Sequence, residues 1–175
     1  MRLTKRLMKE ALLELMEQKE LANISVTALC DSADVHRSTF YKYYTDTSDL
    51  LKEIEMDFLN QIPTPSQIPD IDSQEQLLIE TTAFFDLVKQ NEKAFRILFS
   101  DSAGNSFTTR IVEVLCNGYM PLMPSIDEQS AHYIRIYIAN GTVGMLREWV
   151  MTGCQISSRA IAEKMYFLSR KISLS

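Results

Sequence analysis

The chain has 175 residues, 18 basic and 23 acidic, with a formal charge of −5 at pH 7. A 46% apolar content with only five glycines and five prolines supports a real core built from helices and argues against disorder. A net acidic balance excludes a general nucleic-acid coat, so any DNA contact must come from local basic clusters.

Residues 4–19 form the first predicted helix, with Met8, Ala11, Leu12 and Leu15 at helical spacing among charges. Ser25 suits the N-cap of a second helix over 26–32, whose inner face is Val26, Leu29 and Cys30. Ala33-Asp34 is a turn, and a third helix runs from about His36 to Tyr43 with Val35 and Phe40 inward. Asp46 or Thr47 caps a fourth helix with a stripe of Leu50, Leu51, Ile54, Phe58 and Ile62. Three prolines between 63 and 69 then force a surface loop.

Ser73-Gln74-Glu75-Gln76 is a capping box opening a helix to about Lys89, with Leu77, Phe84, Leu87 and Val88 inside. Residues 93–100 and 106–117 read as helices, and 118–124 as a break. Ser125-Ile126-Asp127-Glu128 is a second capping box, followed by a long helix to about Thr152 that Gly153 stops. Ser157 or Ser158 caps a last helix ending near Lys171. The fold class is therefore all-α, with about nine helices: a three-helix head with a helix-turn-helix, then a helical partner domain. The expected boundaries are 1–46 for the head, 47–72 for a connecting helix and Pro-rich loop, and 73–175 for the partner domain.

Helices two and three carry the most specific signal. Residues 35–45 hold no acid but include Arg37 and Lys42, while Asp31, Asp34, Asp46 and Asp49 flank the window. A short helix braced by a partner and free of acids on its outer face is what docking in a DNA major groove requires. The run Tyr41-Lys42-Tyr43-Tyr44 offers phenol hydroxyls for phosphates and bases, and rings for thymine methyls. Arg37, Tyr41, Lys42 and Tyr43 are read as DNA contacts, and Tyr44 as packing. Arg2, Lys5, Arg6 and Lys9 give the first nine residues a local charge of +4, an arm able to sit against phosphates.

Residues 5–59 resemble the DNA-binding domain of TetR-type transcriptional regulators. The resemblance rests on the first amphipathic helix, then Ile24-Ser25-Val26-Thr27-Ala28-Leu29, Ala33-Asp34-Val35, Ser38-Thr39-Phe40-Tyr41, Tyr43-Tyr44 and Asp49-Leu50-Leu51. It implies base contacts by Arg37, Ser38, Thr39, Tyr41 and Tyr43, and phosphate contacts by Ser25, Thr27 and Thr47. Three positions depart from that pattern. Asp34 stands where the turn usually has glycine, and aspartate tolerates the left-handed conformation. Thr47 replaces a usual lysine. His36 replaces a usual serine cap; charged, its imidazole could meet a phosphate, and otherwise its role is structural.

The resemblance also implies a ligand-sensing and dimerisation domain from about residue 73, and the segment 140–153 resembles a C-terminal region common among regulators of Gram-positive bacteria. On the residues alone, Ile134, Ile138, Gly141, Met145 and Trp149 share one stripe of the long helix, and Ile161, Met165, Leu168 and Ile172 one stripe of the last. Two such helices from each of two chains would make a four-helix interface. Its residues are expected to be Ile134, Ile138, Gly141, Ile161, Met165 and Leu168. Phe84, Phe95, Phe99, Phe107, Met145 and Trp149 are the candidate pocket lining, although such residues at helical spacing are more often plain core.

The expected function is a sequence-specific, homodimeric DNA-binding repressor, released by a small-molecule effector. The alternative is an activator working with a protein co-regulator; a helical adaptor without DNA binding is a distant third. The expected partners are an operator with an inverted repeat, a second copy of the chain, and an effector or co-regulator. An enzyme is disfavoured: only His36 and His132 are present, with no G-x-S-x-G, phosphate loop or H-E-x-x-H. No cofactor or metal is expected. Cys30, Cys116 and Cys154 lie far apart and read as reduced thiols of a cytoplasmic protein. No signal peptide is evident and no apolar run approaches the ~20 residues of a membrane span.

Overall fold

A computed structural model of the chain describes residues 2–63, 74–103, 105–118 and 127–173. Among these residues there are nine α-helices: α1 Arg2–Met16, α2 Val26–Ala33, α3 Arg37–Phe40, α4 Thr47–Leu59, α5 Gln74–Gln90, α6 Glu92–Leu98, α7 Ser106–Gly118, α8 Glu128–Met151 and α9 Ser158–Ser173. The fold is all-α. Residues 64–70 of the Pro-rich loop, Ser73 of the first capping box, residues 119–124 of the expected break, and Ser125 and Ile126 of the second capping box lie outside the described residues.

The chain divides into two compact units, Met1–Asn60 with Ile97–Phe107, and Gln61–Arg96 with Thr108–Ser175. In the first, α1 packs on α2 and α4, and α2 on α3. The expected inner faces meet there: Met8, Leu12, Leu29, Cys30, Phe40, Leu50, Leu51 and Ile54 are buried. Removing such side chains from water supplies about 1.5–3 kcal/mol each. The segment 97–107 adds Leu98, Phe99 and Phe107 to this unit's buried residues. Phe99 and Phe107 pack tilted at 5.4 Å between ring centroids. The buried Glu55 of α4 accepts a hydrogen bond from the Ser106 hydroxyl at 2.6 Å, tying α4 to the first residue of α7.

In the second unit α9 packs on α5 and α8. Trp149 is its anchor: the indole packs edge-on against Phe85 at 5.3 Å and donates to the Ile156 carbonyl at 3.0 Å. The stop after α8 is built as expected at Gly153, which takes φ +83°, and Cys154 follows it with φ +49°. The Cys154 N–H then reaches back to the Trp149 carbonyl at 2.8 Å, and the Thr152 hydroxyl donates to the same helix-end acceptor at 3.2 Å.

Asp127 is the N-cap of α8, and its carboxylate accepts from the Ser130 N–H at 2.9 Å. The carboxylate also faces the positive end of the helix dipole. Ser157 caps α9, accepting from the Ala160 N–H.

Candidate nucleic-acid interface

Ser25 caps α2 by accepting from the Ala28 N–H at 3.1 Å. At the other end Asp34 adopts φ 51°, ψ 48°, and both its N–H and that of Val35 bond to the Cys30 carbonyl. The left-handed turn therefore forms without glycine, and it swings the chain from α2 into α3. Phe40, with no exposed surface, pins α3 to the core. This leaves His36, Arg37, Ser38, Tyr41 and Lys42 exposed, with Thr39 and Tyr43 half-buried.

The third helix is shorter than its pattern. Only Arg37–Phe40 is α-helical; beyond it the chain tightens, with Tyr43 and Tyr44 N–H groups sharing the Phe40 carbonyl at 2.9 and 3.1 Å. The tightening accompanies aromatic packing: Tyr44 is buried and its ring lies 5.6 Å from Phe40, while Tyr41 stands edge-on to Phe40 at 5.5 Å. Tyr44 is thus a packing residue, and Tyr41 is 52% exposed. The Arg37 guanidinium stands 6.0 Å from the Tyr41 ring centroid, at the edge of cation–π range. His36 is the N-cap of α3 without a side-chain capping bond.

At the start of α4, Thr47 is buried, with 8% of its surface exposed. Asp46 caps α4 by accepting from the Asp49 N–H at 2.9 Å, and Asp49 accepts from the Thr45 N–H and hydroxyl. Those bonds to Thr45 hold the Asp49 carboxyl below the usual range. Two carboxylates satisfy this helix terminus from within and would repel a phosphate brought to it. Ser25 and Thr27, by contrast, are exposed at the start of α2.

The basic arm is also changed by the fold. Lys5 pairs with Glu53 at 2.8 Å; Lys9 pairs with Glu53 at 2.7 Å and with Asp57 at 2.6 Å; Arg6 pairs with Glu10 at 3.5 Å on the surface. Burial alone would push the Glu53 carboxyl up, but the bonds from Lys5 and Lys9 outweigh it and hold the carboxyl down at about 2. Burial likewise works against the charge on Lys9, and Asp57 and Glu53 overcome it, raising its pKa. Burial and then the neighbouring Glu53 charge push the Tyr44 phenol well above its usual value. Much of the arm's charge is therefore neutralised inside the head. Glu53 is the residue that reading the sequence missed. The signal was present as Lys5/Lys9 and Glu53/Asp57, each pair four residues apart, but nothing in the sequence placed α1 against α4.

A family model described as "Transcriptional regulator C-terminal region", of TetR type, matches residues 75–171. This is more than half of the chain. The chain belongs to the TetR family of transcriptional regulators. Solved structures agree in fold across both units. The dihydroxyacetone kinase operon activator DhaS superposes with a TM-score of 0.67 at 18% identity, covering 98% of this chain and 97% of that one. A putative TetR-family regulator from Syntrophomonas wolfei gives 0.67 at 20% identity over 98% and 95%. The fatty acid degradation regulator FadR from Bacillus halodurans gives 0.65 at 19% identity over 95% and 94%. No curated protein matches the sequence. The family is one of regulators rather than enzymes.

In this TetR-family chain the six candidate pocket residues do not belong to one unit. Phe84, Phe95, Met145 and Trp149 lie in the second, whereas Phe99 and Phe107 lie with the head. All but the half-buried Met145 are buried. The expected dimer residues also divide. Ile161 and Met165, each 5% exposed, are spent in their own unit's core, because α9 turns that stripe toward α5 and α8. Ile134 and Ile138 are half-buried, and Gly141 and Leu168 are exposed. The apolar surface that does face outward keeps Leu168 of the expected α9 stripe and otherwise lies beside the expected stripes: Tyr133, Ile136, Tyr137 and Met151 on α8, and Phe167 on α9. Among the described residues no helix is long and apolar enough to cross a membrane. The Cys30, Cys116 and Cys154 thiols are free, and burial pushes each one up, away from the reactive thiolate.

Proposed function

We propose that the chain is a homodimeric, sequence-specific DNA-binding repressor whose release is controlled by an effector acting on the second unit. The observation that carries this reading is the exposed, acid-free face of Arg37, Ser38, Tyr41 and Lys42, on α3 and the turn that follows it, pinned by the buried Phe40. Arg37 and Tyr41 reach base edges, with Ser38, Thr39 and Tyr43 beside them. Ser25, Thr27, His36 and Lys42 hold the flanking phosphates and so fix the register. Thr47 is left out of this set.

Dimerisation follows from the DNA geometry. Two recognition helices must enter successive major grooves about 34–36 Å apart. The outward apolar face of α8 with the exposed Phe167 and Leu168 of α9 offers a self-complementary surface for a second copy. An effector that prefers a dimer with a different spacing between heads lowers operator affinity by at most its preference for that state.

The test is a titration of the full-length protein against duplex DNA from upstream of its own gene. Arg37→Ala and Tyr41→Ala are each expected to lose about 10- to 100-fold in affinity, the range of one lost base contact, with unchanged thermal melting. Unchanged affinity in both variants overturns the site. Transcripts of the target genes should rise when the gene is deleted; a fall would identify an activator instead.

A further inference from the structure

The ion-pair cluster between α1 and α4 does more than join two helices. The Glu53 carboxylate bridges two lysines one turn apart on α1, with Oε2 on Lys5 at 2.8 Å and Oε1 on Lys9 at 2.7 Å. Asp57 takes a second bond from Lys9, but its side chain is 56% exposed against 31% for Glu53. Glu53 is thus the more enclosed hub. The ammonium it holds has a second set of partners. Lys5 Nζ stands 5.6 Å from the ring centroid of Tyr43 and 5.2 Å from that of Tyr44. The two rings lie 6.3 Å apart, and Tyr44 rests on the buried Phe40.

Tyr44 is fixed by burial. Tyr43 is not; it is half-buried at the end of the tightened turn after α3, so its ring direction depends on what stands beside it. A lysine on a flexible four-carbon stem gives no fixed reference by itself. Anchored by a carboxylate it becomes one. The same carboxylate has a second effect: it neutralises cations that would otherwise bind any phosphate, whatever the sequence.

We infer that Glu53 is a positioning residue for DNA reading, which through Lys5 sets the direction of Tyr43 and keeps two α1 lysines from indiscriminate phosphate binding. This rests on the proposed DNA-binding role of the head. Glu53 touches no base; it acts through Lys5 and Tyr43. Its removal therefore has opposite effects on two kinds of DNA, which loss of stability alone would not produce.

The experiment uses the full-length protein and two duplexes of equal length and composition: one enriched by the wild type from a random pool, and its scrambled counterpart. Glu53→Gln keeps the shape and removes the charge. It is expected to weaken binding to the enriched duplex about tenfold and to strengthen binding to the scrambled one. The salt dependence on the scrambled duplex should steepen by about one in log–log slope, for the Lys5 charge released, since Lys9 keeps its bond to Asp57. In a Tyr43→Ala background Glu53→Gln should no longer weaken binding to the enriched duplex. Lys5→Met, which keeps the apolar stem, should lower the ratio of the two affinities without strengthening scrambled binding, and it serves if Glu53→Gln fails to fold. A role confined to holding the head together predicts equal losses on both duplexes. A Glu53→Gln ratio within twofold of wild type, or equal losses, overturns the inference while leaving the DNA-binding reading intact. A wild type that enriches no duplex sinks that reading and the inference with it.

Discussion

The two units use glycine in opposite ways. The head needs a left-handed residue between α2 and α3 and has Asp34 there, at φ 51°. The second unit needs none inside α8, yet has Gly141 and Gly144 in mid-helix, both exposed. A Cβ added at either would meet nothing within 4 Å. In the head a small local cost is absorbed by a turn whose direction is set by packing. In α8 a larger cost is left with no compensation among the described residues: each helical glycine costs about 1 kcal/mol relative to alanine. Such a cost makes sense where another helix approaches closely, and the neighbouring exposed Tyr137 and Tyr133 mark the same side of α8 as unfinished.

That contrast can be broken by substitution. Replacing both Gly141 and Gly144 with alanine should stabilise the isolated protomer by up to about 2 kcal/mol, seen as a higher melting temperature at high dilution. The same change should weaken self-association, seen by sedimentation at rising concentration. If the double variant melts higher and associates as well as wild type, the close approach is refuted. Asp34→Gly should have a smaller effect, raising stability by about 0.5–1 kcal/mol through relief of the left-handed backbone. A loss would mean that the Asp34 side chain contributes something glycine cannot.

The smallest effect expected is on the acid side, and it sharpens the picture of the head alone. The Glu53 carboxyl is held at about 2, below its ordinary 4.5. A depressed carboxyl contributes stability that is full above its unfolded value and is lost as pH falls through its folded one. Denaturant titrations between pH 5 and pH 2 should therefore show a decline that Glu53→Gln flattens. Because Glu53 is about a third exposed, solvent screening keeps this contribution modest.

The head was readable from its sequence to the level of single residues. The Ser25 cap and the Asp34 turn are local events, decided by neighbours within four positions, and the inward Phe40 and the packing role of Tyr44 follow from the apolar and aromatic pattern of the same short segment. What was not readable there came from long-range contacts: α1 against α4 pairs Lys5 and Lys9, and Thr47 is buried at the start of α4. In the second unit helical spacing identified α8 and α9 but not which flank faces inward. Ile161 and Met165 look alike as interface or as core until α5 is known to cover them.

What the amino-acid order determined by itself is the helical class, the start and stop signals and the acid-free recognition segment, because capping, turn conformation and charge pattern act over a few residues. What only the tertiary structure decided is which cations remain available to DNA, which apolar stripes are already spent and which face of α8 is left open. Those depend on pairs such as Lys5 and Glu53, 48 residues apart, whose meeting is set by how the helices pack and leaves no mark on either one alone.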